Sequence, residues 1–154
     1  MKKILKAHFR IAFYSIAFSL SGFGQVTGDF QTKSTTGNWS NFNSWNRYNG
    51  GAWVAATAGQ IPGATSSVFV QAGHVISVDN AMAICNDLNL TNTGGGKLSF
   101  SSPTSVLNVK GNMIISGTAN CFGTLATGAR LVFSGTGNQS LPANLGSNSV
   151  LDHV

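Results

Sequence analysis

Acidic side chains are scarce in this 154-residue chain, which contains four aspartates and no glutamate at all. Glycoside hydrolysis ordinarily requires a pair of carboxylates, and the four aspartates are widely spread. A serine nucleophile in a Gly-x-Ser-x-Gly turn is also missing. We therefore predict that the chain is not an enzyme, with no catalytic residues and no cofactor. The aspartates are Asp29, Asp79, Asp87 and Asp152.

Cysteine and histidine are rarer still, with two and three residues. A zinc site needs three or four ligands at suitable spacing, so His74 is expected to have a structural role, bonding backbone at a turn, and no metal site is predicted. Asp79 and Asp87 would supply only part of the six to eight oxygens that calcium takes. Cys85 and Cys121 are expected to be buried thiols, and their oxidation state stays open.

The basic side chains are concentrated at the N-terminus, where four of the nine precede a mostly apolar run over residues 11–20. This pattern predicts a secretory signal peptide over residues 1–24, with Gln25 as the first mature residue and a secreted or cell-surface location. An uncleaved anchor is the alternative, although the run is about half the length of a membrane-spanning helix. No span is expected after the signal is removed.

The mature chain would carry five Lys and Arg side chains against four Asp, a net charge of +1. Those five cations are scattered, so they form no basic patch of the kind that binds nucleic acid. Nucleic acid is therefore excluded as an expected partner.

A short unit with apolar residues at alternate positions recurs through the second half of the chain. Because its copies start 20, 19 and 24 residues apart, we expect them on one wall of successive turns. Helical periodicity is absent, and Gly, Asn, Ser and Thr separate the units. The pattern predicts an all-β, right-handed parallel β-helix over residues 61–154, with turns of about 20 residues; a β-sandwich is the alternative. The four copies are Val68-Phe69-Val70, Leu88-Asn89-Leu90, Leu107-Asn108-Val109 and Leu131-Val132-Phe133.

A second, less regular series lies between these copies and predicts a second wall. Its members are Ile76-Ser77-Val78, Leu98-Ser99-Phe100, the stretch from Phe122 to Leu125, and Gln139-Ser140-Leu141.

Aromatic residues interleaved with asparagine mark residues 25–60, which we interpret as an N-terminal cap segment. Trp39, Phe42, Trp45, Tyr48 and Trp53 could cover the first turn of the solenoid, since tryptophan buries a large apolar area. The alternative is a carbohydrate-binding face formed by Trp45, Tyr48 and Trp53. A mixed outcome would bury Trp39 and Trp45 and expose the other two.

Several short motifs stand in a recognisable order: Gly37-Asn38-Trp39, Trp45, Pro62 and Ala72-Gly73-His74. In this order, over residues 37–141, the chain resembles the N-terminal β-helix region of large secreted, adhesin-like surface proteins of Bacteroidota-type bacteria, and is similar to the eight-glycine domain of extracellular proteins. The resemblance implies a parallel β-helix and an exported protein. Such proteins usually end in a type IX sorting domain, which this sequence does not contain.

The C-terminal residues resemble no polar cap, so the β-helix is expected to be truncated. We predict a non-catalytic structural or adhesive module whose partner is a polysaccharide or another surface protein. The alternatives are a carbohydrate-binding module and the non-catalytic start of a polysaccharide-degrading enzyme. The ligand and the oligomeric state do not follow from the sequence.

Overall fold

The computed structural model describes residues 24–91, 95–117, 120–140 and 142. The predicted signal peptide therefore lies outside the described residues, apart from its last position. The described residues contain thirteen short strands and a single-turn 3-10 helix at Phe42–Ser44, with no α-helix. The strands are β1 (Phe30–Thr32), β2 (Thr36–Asn38), β3 (Trp45–Tyr48), β4 (Trp53–Ala55), β5 (Val68–Val70), β6 (Val75–Val78), β7 (Ala83–Cys85), β8 (Leu88–Thr91), β9 (Lys97–Phe100), β10 (Val106–Val109), β11 (Met113–Ser116), β12 (Phe122–Leu125) and β13 (Arg130–Phe133).

These strands form three sheets. Sheet A has the order β11-β8-β5-β1-β3-β4, sheet B the order β12-β9-β6-β2, and sheet C the order β13-β10-β7. Pairing is parallel everywhere except between β1 and β3 and between β3 and β4. The all-β prediction and the parallel pairing are thus confirmed, and two antiparallel sheets of a β-sandwich are not what the chain forms.

From β5 onward the chain visits sheets A, B and C in turn, three times over. This order shows that one prediction is wrong: the four triplets that start at Val68, Leu88, Leu107 and Leu131 do not all lie on one wall. Val68 and Leu88 are paired in sheet A, but Leu107 and Leu131 are paired with each other in sheet C. The reason is that each circuit contains three strands, and Met113 takes the place beside Leu88.

The second series was predicted more accurately. Ile76 pairs with Leu98, and Leu98 pairs with Phe122, all in sheet B. Its last member is displaced: Ser140 donates its backbone N–H to Asn112 at the corner before β11, and Leu141 lies outside the described residues.

In most of the parallel strands, alternate residues point inward and meet their counterparts on the next strand. The period of two in the sequence becomes a set of apolar columns because parallel pairing keeps equivalent residues in register. Leu88, Leu98 and Leu107, one from each sheet, are completely buried. The columns are Val68, Leu88 and Met113 in sheet A, Ile76, Leu98 and Phe122 in sheet B, and Ala83, Leu107 and Leu131 in sheet C.

Trp39 and Trp45 are buried beside β1, at the start of this core. Their ring centroids are 5.3 Å apart in an edge-to-face arrangement, and Trp45 contacts Phe30 in the same geometry at 6.3 Å. The indole N–H of Trp45 donates to the backbone oxygen of Trp39 at 2.9 Å. Two large rings are thus part of the core and not of the surface.

Candidate functional site

Three aromatic side chains, Tyr48, Trp53 and Phe69, lie together on the outer face of sheet A and are called the aromatic surface. Tyr48 and Trp53 face each other across β3 and β4, with ring centroids 5.2 Å apart. Trp53 also meets Phe69 edge to face at 5.9 Å. All three side chains are half-buried, so each keeps part of its ring in contact with solvent.

A tight turn places Tyr48 opposite Trp53. Gly50 has a φ of +97°, a conformation that glycine adopts without strain. The side-chain oxygen of Asn49 accepts the backbone N–H groups of Gly51 and Ala52 at 3.1 and 2.9 Å. The Asn-Gly pair therefore fixes the hairpin that carries the aromatic surface.

Trp45 does not belong to the aromatic surface, which corrects its prediction as a carbohydrate-binding residue. It is completely buried, and it pairs with Thr32, which is also buried. Side chains alternate along a strand, so Trp45 and Tyr48, three residues apart in β3, must point to opposite faces. The observed arrangement is the mixed one: Trp39 and Trp45 are buried, whereas Tyr48 and Trp53 are half-buried and not fully exposed.

Phe69 is the aromatic residue that the sequence reasoning missed. It is the central residue of a triplet whose outer members, Val68 and Val70, are completely buried. The alternation that predicted the strand also predicts that its middle side chain points outward. That signal could have placed Phe69 on the outer face, although its contact with Trp53 depends on the hairpin.

Amide side chains continue the row on the same face. Asn46 pairs with Gln31, and Gln31 pairs with Phe69. The side-chain N–H of Gln71 donates to the side-chain oxygen of Gln31 at 3.3 Å. Flat aromatic rings beside uncharged amides are groups that could stack on sugar rings and bond their hydroxyls.

His74 ties a turn to β1. Its Nδ1 lies 2.8 Å from the Thr32 hydroxyl oxygen, which also accepts the backbone N–H of Gln71 at 3.0 Å. The predicted structural position at a turn is observed, but the ring bonds a side-chain hydroxyl and not the backbone. Within the described ranges, no group of three His, Cys, Asp or Glu side chains could hold a metal ion.

Asp79 and Asp87, considered as a partial calcium site, serve different corners of the chain. Asp79 accepts both the backbone N–H and the hydroxyl of Ser40. Asp87 accepts the backbone N–H of Asn112 at 2.7 Å and the hydroxyl of Ser67 at 3.4 Å. Both carboxylates are therefore engaged in holding successive circuits together.

The corners before the strands of sheet A repeat one hydrogen bond. Ser67 donates its backbone N–H to the Asp29 carboxylate at 2.9 Å, as Asn112 does to Asp87. Ser140 donates in the same way to the Asn112 side chain at 3.1 Å. In these three cases a side chain at one corner accepts a backbone N–H of the next corner, whereas the corner before β5 contacts the corner before β8 through the Ser67 hydroxyl and the Asp87 carboxylate.

Cys85 and Cys121, which both lie in the described part of the chain, are buried and are not joined by a disulfide. Cys85 belongs to sheet C, whereas Cys121 precedes β12 of sheet B. Desolvation by burial raises the pKa of the Cys85 thiol, and the nearby Asp87 charge raises it further. Burial also raises the pKa of Cys121, against a smaller lowering by a backbone hydrogen bond.

No helix found in the described ranges has both the length and the apolar character needed to cross a membrane. Comparison of the chain with family models, with curated proteins and with solved structures found no match. The function is therefore argued from the chain's own residues.

Proposed function

We propose that this chain is a right-handed parallel β-helix segment serving as a non-catalytic structural or adhesive module of a secreted or cell-surface protein. The observation that carries the proposal is the repeated A-B-C order of the strands, with apolar residues in register from one circuit to the next. Right-handedness is supported by the strong preference of parallel crossover connections for that hand.

Buried aromatic residues support a cap at the N-terminal end. Trp45 packs against Phe30, whose strand β1 begins the parallel part of sheet A, and Trp39 packs against Trp45. The first circuit of a solenoid has no earlier neighbour to cover its apolar interior, and two tryptophan rings supply a large area. We infer that residues 25–60 form this cap.

The use of the carboxylates supports a non-catalytic role. Asp29, Asp79 and Asp87 all accept hydrogen bonds from backbone groups of other segments. A carboxylate that acts as an acid or base must instead reach a substrate. These three carboxylates contribute to the stacking of circuits, which is what a structural module needs.

Export is inferred from the sequence and can be tested directly. Cells that produce the protein would be treated with an external protease, and residues 1–24 would be deleted in a control strain. We expect the intact protein to be cleaved from outside or found in the medium, and the deletion variant to be retained and protected. Equal protection of both proteins would contradict the proposed location.

A carbohydrate-binding module is the second candidate, favoured by the half-exposed rings of Tyr48 and Trp53. Stacking of sugar rings on aromatic faces is compatible with a flat β surface, and the neighbouring amides of Asn46 and Gln31 lie in the same outer row. For the carbohydrate-binding module, the proposed partner is a polysaccharide. For the adhesive module, the proposed partner is another surface protein.

Tryptophan fluorescence distinguishes these candidates because Trp53 is the only one of the three tryptophans with solvent contact. Soluble polysaccharides would be titrated into the purified protein while acrylamide quenching is measured, with Tyr48→Ala as the control because it keeps the Trp53 fluorophore and removes the neighbouring ring. Protection from quenching that is weakened in Tyr48→Ala supports carbohydrate binding. Quenching unchanged by every polysaccharide supports the structural or adhesive role.

A further inference from the structure

A polar groove crosses the outer face of sheet B, away from the aromatic surface. Its floor is a row of residues paired across neighbouring strands: Asn38 of β2 faces Ser77 of β6, which faces Ser99 of β9. Thr124 of β12 continues the lining on the far side of Ser99, and Val75 contributes an apolar wall. We call this feature the sheet B groove.

The polar side chains of the floor have no hydrogen-bond partner among the described residues. In the described part of the chain, the side chains of Asn38, Ser77, Ser99 and Thr124 make no hydrogen bond. Ser99 is the most informative, because it is only 8% exposed and yet its hydroxyl is not enclosed. A nearly buried hydroxyl that opens only into a groove is available to a ligand in that groove.

A local irregularity in β12 leaves room for the Ser99 hydroxyl. The pairing of β9 with β12 changes register between Phe122 and Leu125, so Gly123 comes beside Ser99. A Cβ atom at Gly123 would collide with the Ser99 hydroxyl oxygen. The small residues at both positions deepen the groove where a larger side chain would fill it.

The lining indicates the chemistry of the ligand. No charged side chain lines the groove, and Lys97, paired with Val75, is a single cation beside it, whereas a nucleic acid or an acidic polymer would need a row of such charges. Strand addition by a peptide is also disfavoured, since β6 and β9 are paired on both sides and their backbone groups are occupied. Hydroxyl and amide side chains remain, and these bond the hydroxyls of neutral sugars.

The length of the floor favours a polymer over a single sugar. Four strands at a spacing of 4.7–4.9 Å extend over about 14 Å, and each strand presents one polar side chain. An extended chain of sugars lying across the strands could form hydrogen bonds with the polar side chain of each strand in turn. The apolar side chain of Val75 would contact the C–H groups of the sugar rings.

We propose that the sheet B groove binds an uncharged, extended polysaccharide through the side chains of Asn38, Ser77, Ser99 and Thr124. This site is separate from the aromatic surface and does not depend on it. It would give the module an adhesive function through its parallel sheet, independent of Trp53.

Calorimetric titration of the full-length protein with cellohexaose, xylohexaose and mannohexaose tests the proposal, with hexagalacturonate as the charged comparator. Ser77→Arg places a long side chain on the floor and is expected to weaken binding more than tenfold. Ser99→Ala removes one hydroxyl, and the loss of one neutral hydrogen bond is expected to weaken binding about three- to tenfold.

Asn108→Arg is the matched control, because Asn108 is a half-buried outward residue on the central strand of sheet C. It is expected to bind like the parent protein, and Trp53→Ala reports separately on binding at the aromatic surface. Circular dichroism establishes whether each variant is folded. If Ser77→Arg does not fold, Ser99→Ala still tests the proposal. The proposal is overturned if no neutral hexasaccharide binds, if hexagalacturonate binds more tightly, or if only Trp53→Ala abolishes binding.

Discussion

At the scale of single residues, Asp87 shows how a carboxylate contributes to a repeat fold without catalysis. One of its oxygens accepts the Asn112 backbone N–H, and the other accepts the side chains of Ser67 and Asn86. These partners lie before β5, before β8 and before β11, so one carboxylate connects three consecutive circuits.

Replacing Asp87 should therefore destabilise the protein. We expect Asp87→Ala to lower the free energy of unfolding by about 1–3 kcal/mol, because the Asn112 N–H loses a charged acceptor. Asp87→Asn keeps a side-chain oxygen in the same place and should cost less. Denaturant unfolding of both variants measures the difference, and equal losses would show that the acceptor geometry is unimportant.

The buried thiols give a second test at this scale. Because burial raises the pKa of Cys85, its thiolate forms in the unfolded chain before it forms in the folded one. The stability that results is complete below the unfolded pKa of about 8.5 and falls above it, by up to about 1.4 kcal/mol per pH unit for one thiol.

We expect the free energy of unfolding to fall between pH 8.5 and pH 10, and Cys85→Ala to reduce the slope of this fall. Urea unfolding at several pH values under reducing conditions measures both slopes. Identical slopes in the two proteins would contradict the proposed burial of the Cys85 thiol.

At the scale of strands, the alternating triplets were sufficient to predict β structure but not to assign each strand to a sheet. Val68-Phe69-Val70 and Leu107-Asn108-Val109 have the same pattern, although they lie in sheets A and C. Alternation specifies which side chains point inward, whereas the sheet depends on how many strands and corners each circuit contains.

The aromatic site shows the same limit. Alternation within residues 45–48 separates Trp45 from Tyr48, so the faces of that strand could be derived from the sequence. The contact between Trp53 and Phe69 could not, because it joins the antiparallel hairpin to a parallel strand sixteen residues later. Such contacts depend on tertiary packing, which local periodicity does not encode.

The position of a strand in its sheet should determine how much free energy of unfolding is lost when a buried side chain of that strand is shortened. Leu98 is completely buried in β9, between Ile76 and Phe122. Leu131 is 9% exposed in β13, which is paired on one side among the described residues. We expect Leu98→Ala to cost about 2–5 kcal/mol and Leu131→Ala to cost less, since β13 can relax around the cavity. Denaturant unfolding compares the two, and a larger loss for Leu131→Ala would contradict this view of the core.

At the scale of the whole molecule, contacts connect mainly neighbouring circuits. In the described part of the chain, β8, β9 and β10 are each paired on both sides, whereas β11, β12 and β13 are each paired on one side. In such an arrangement, stability is approximately a sum of the circuits and the interfaces between them. Opening of the outer circuit needs fewer broken contacts than opening of an inner one.

Hydrogen exchange measured by mass spectrometry should reveal this difference. We expect peptides covering β8 to β10 to exchange most slowly, and peptides covering β11 to β13 to exchange faster, because local opening of one circuit leaves the others intact. Asp87→Ala should accelerate exchange in the segments around Asp87 and Asn112 more than in β2 or β6, which provides a control within the same experiment. Uniform protection of all strands, changed equally everywhere by Asp87→Ala, would mean instead that the circuits unfold as one cooperative unit, and the additive description of this molecule would be wrong.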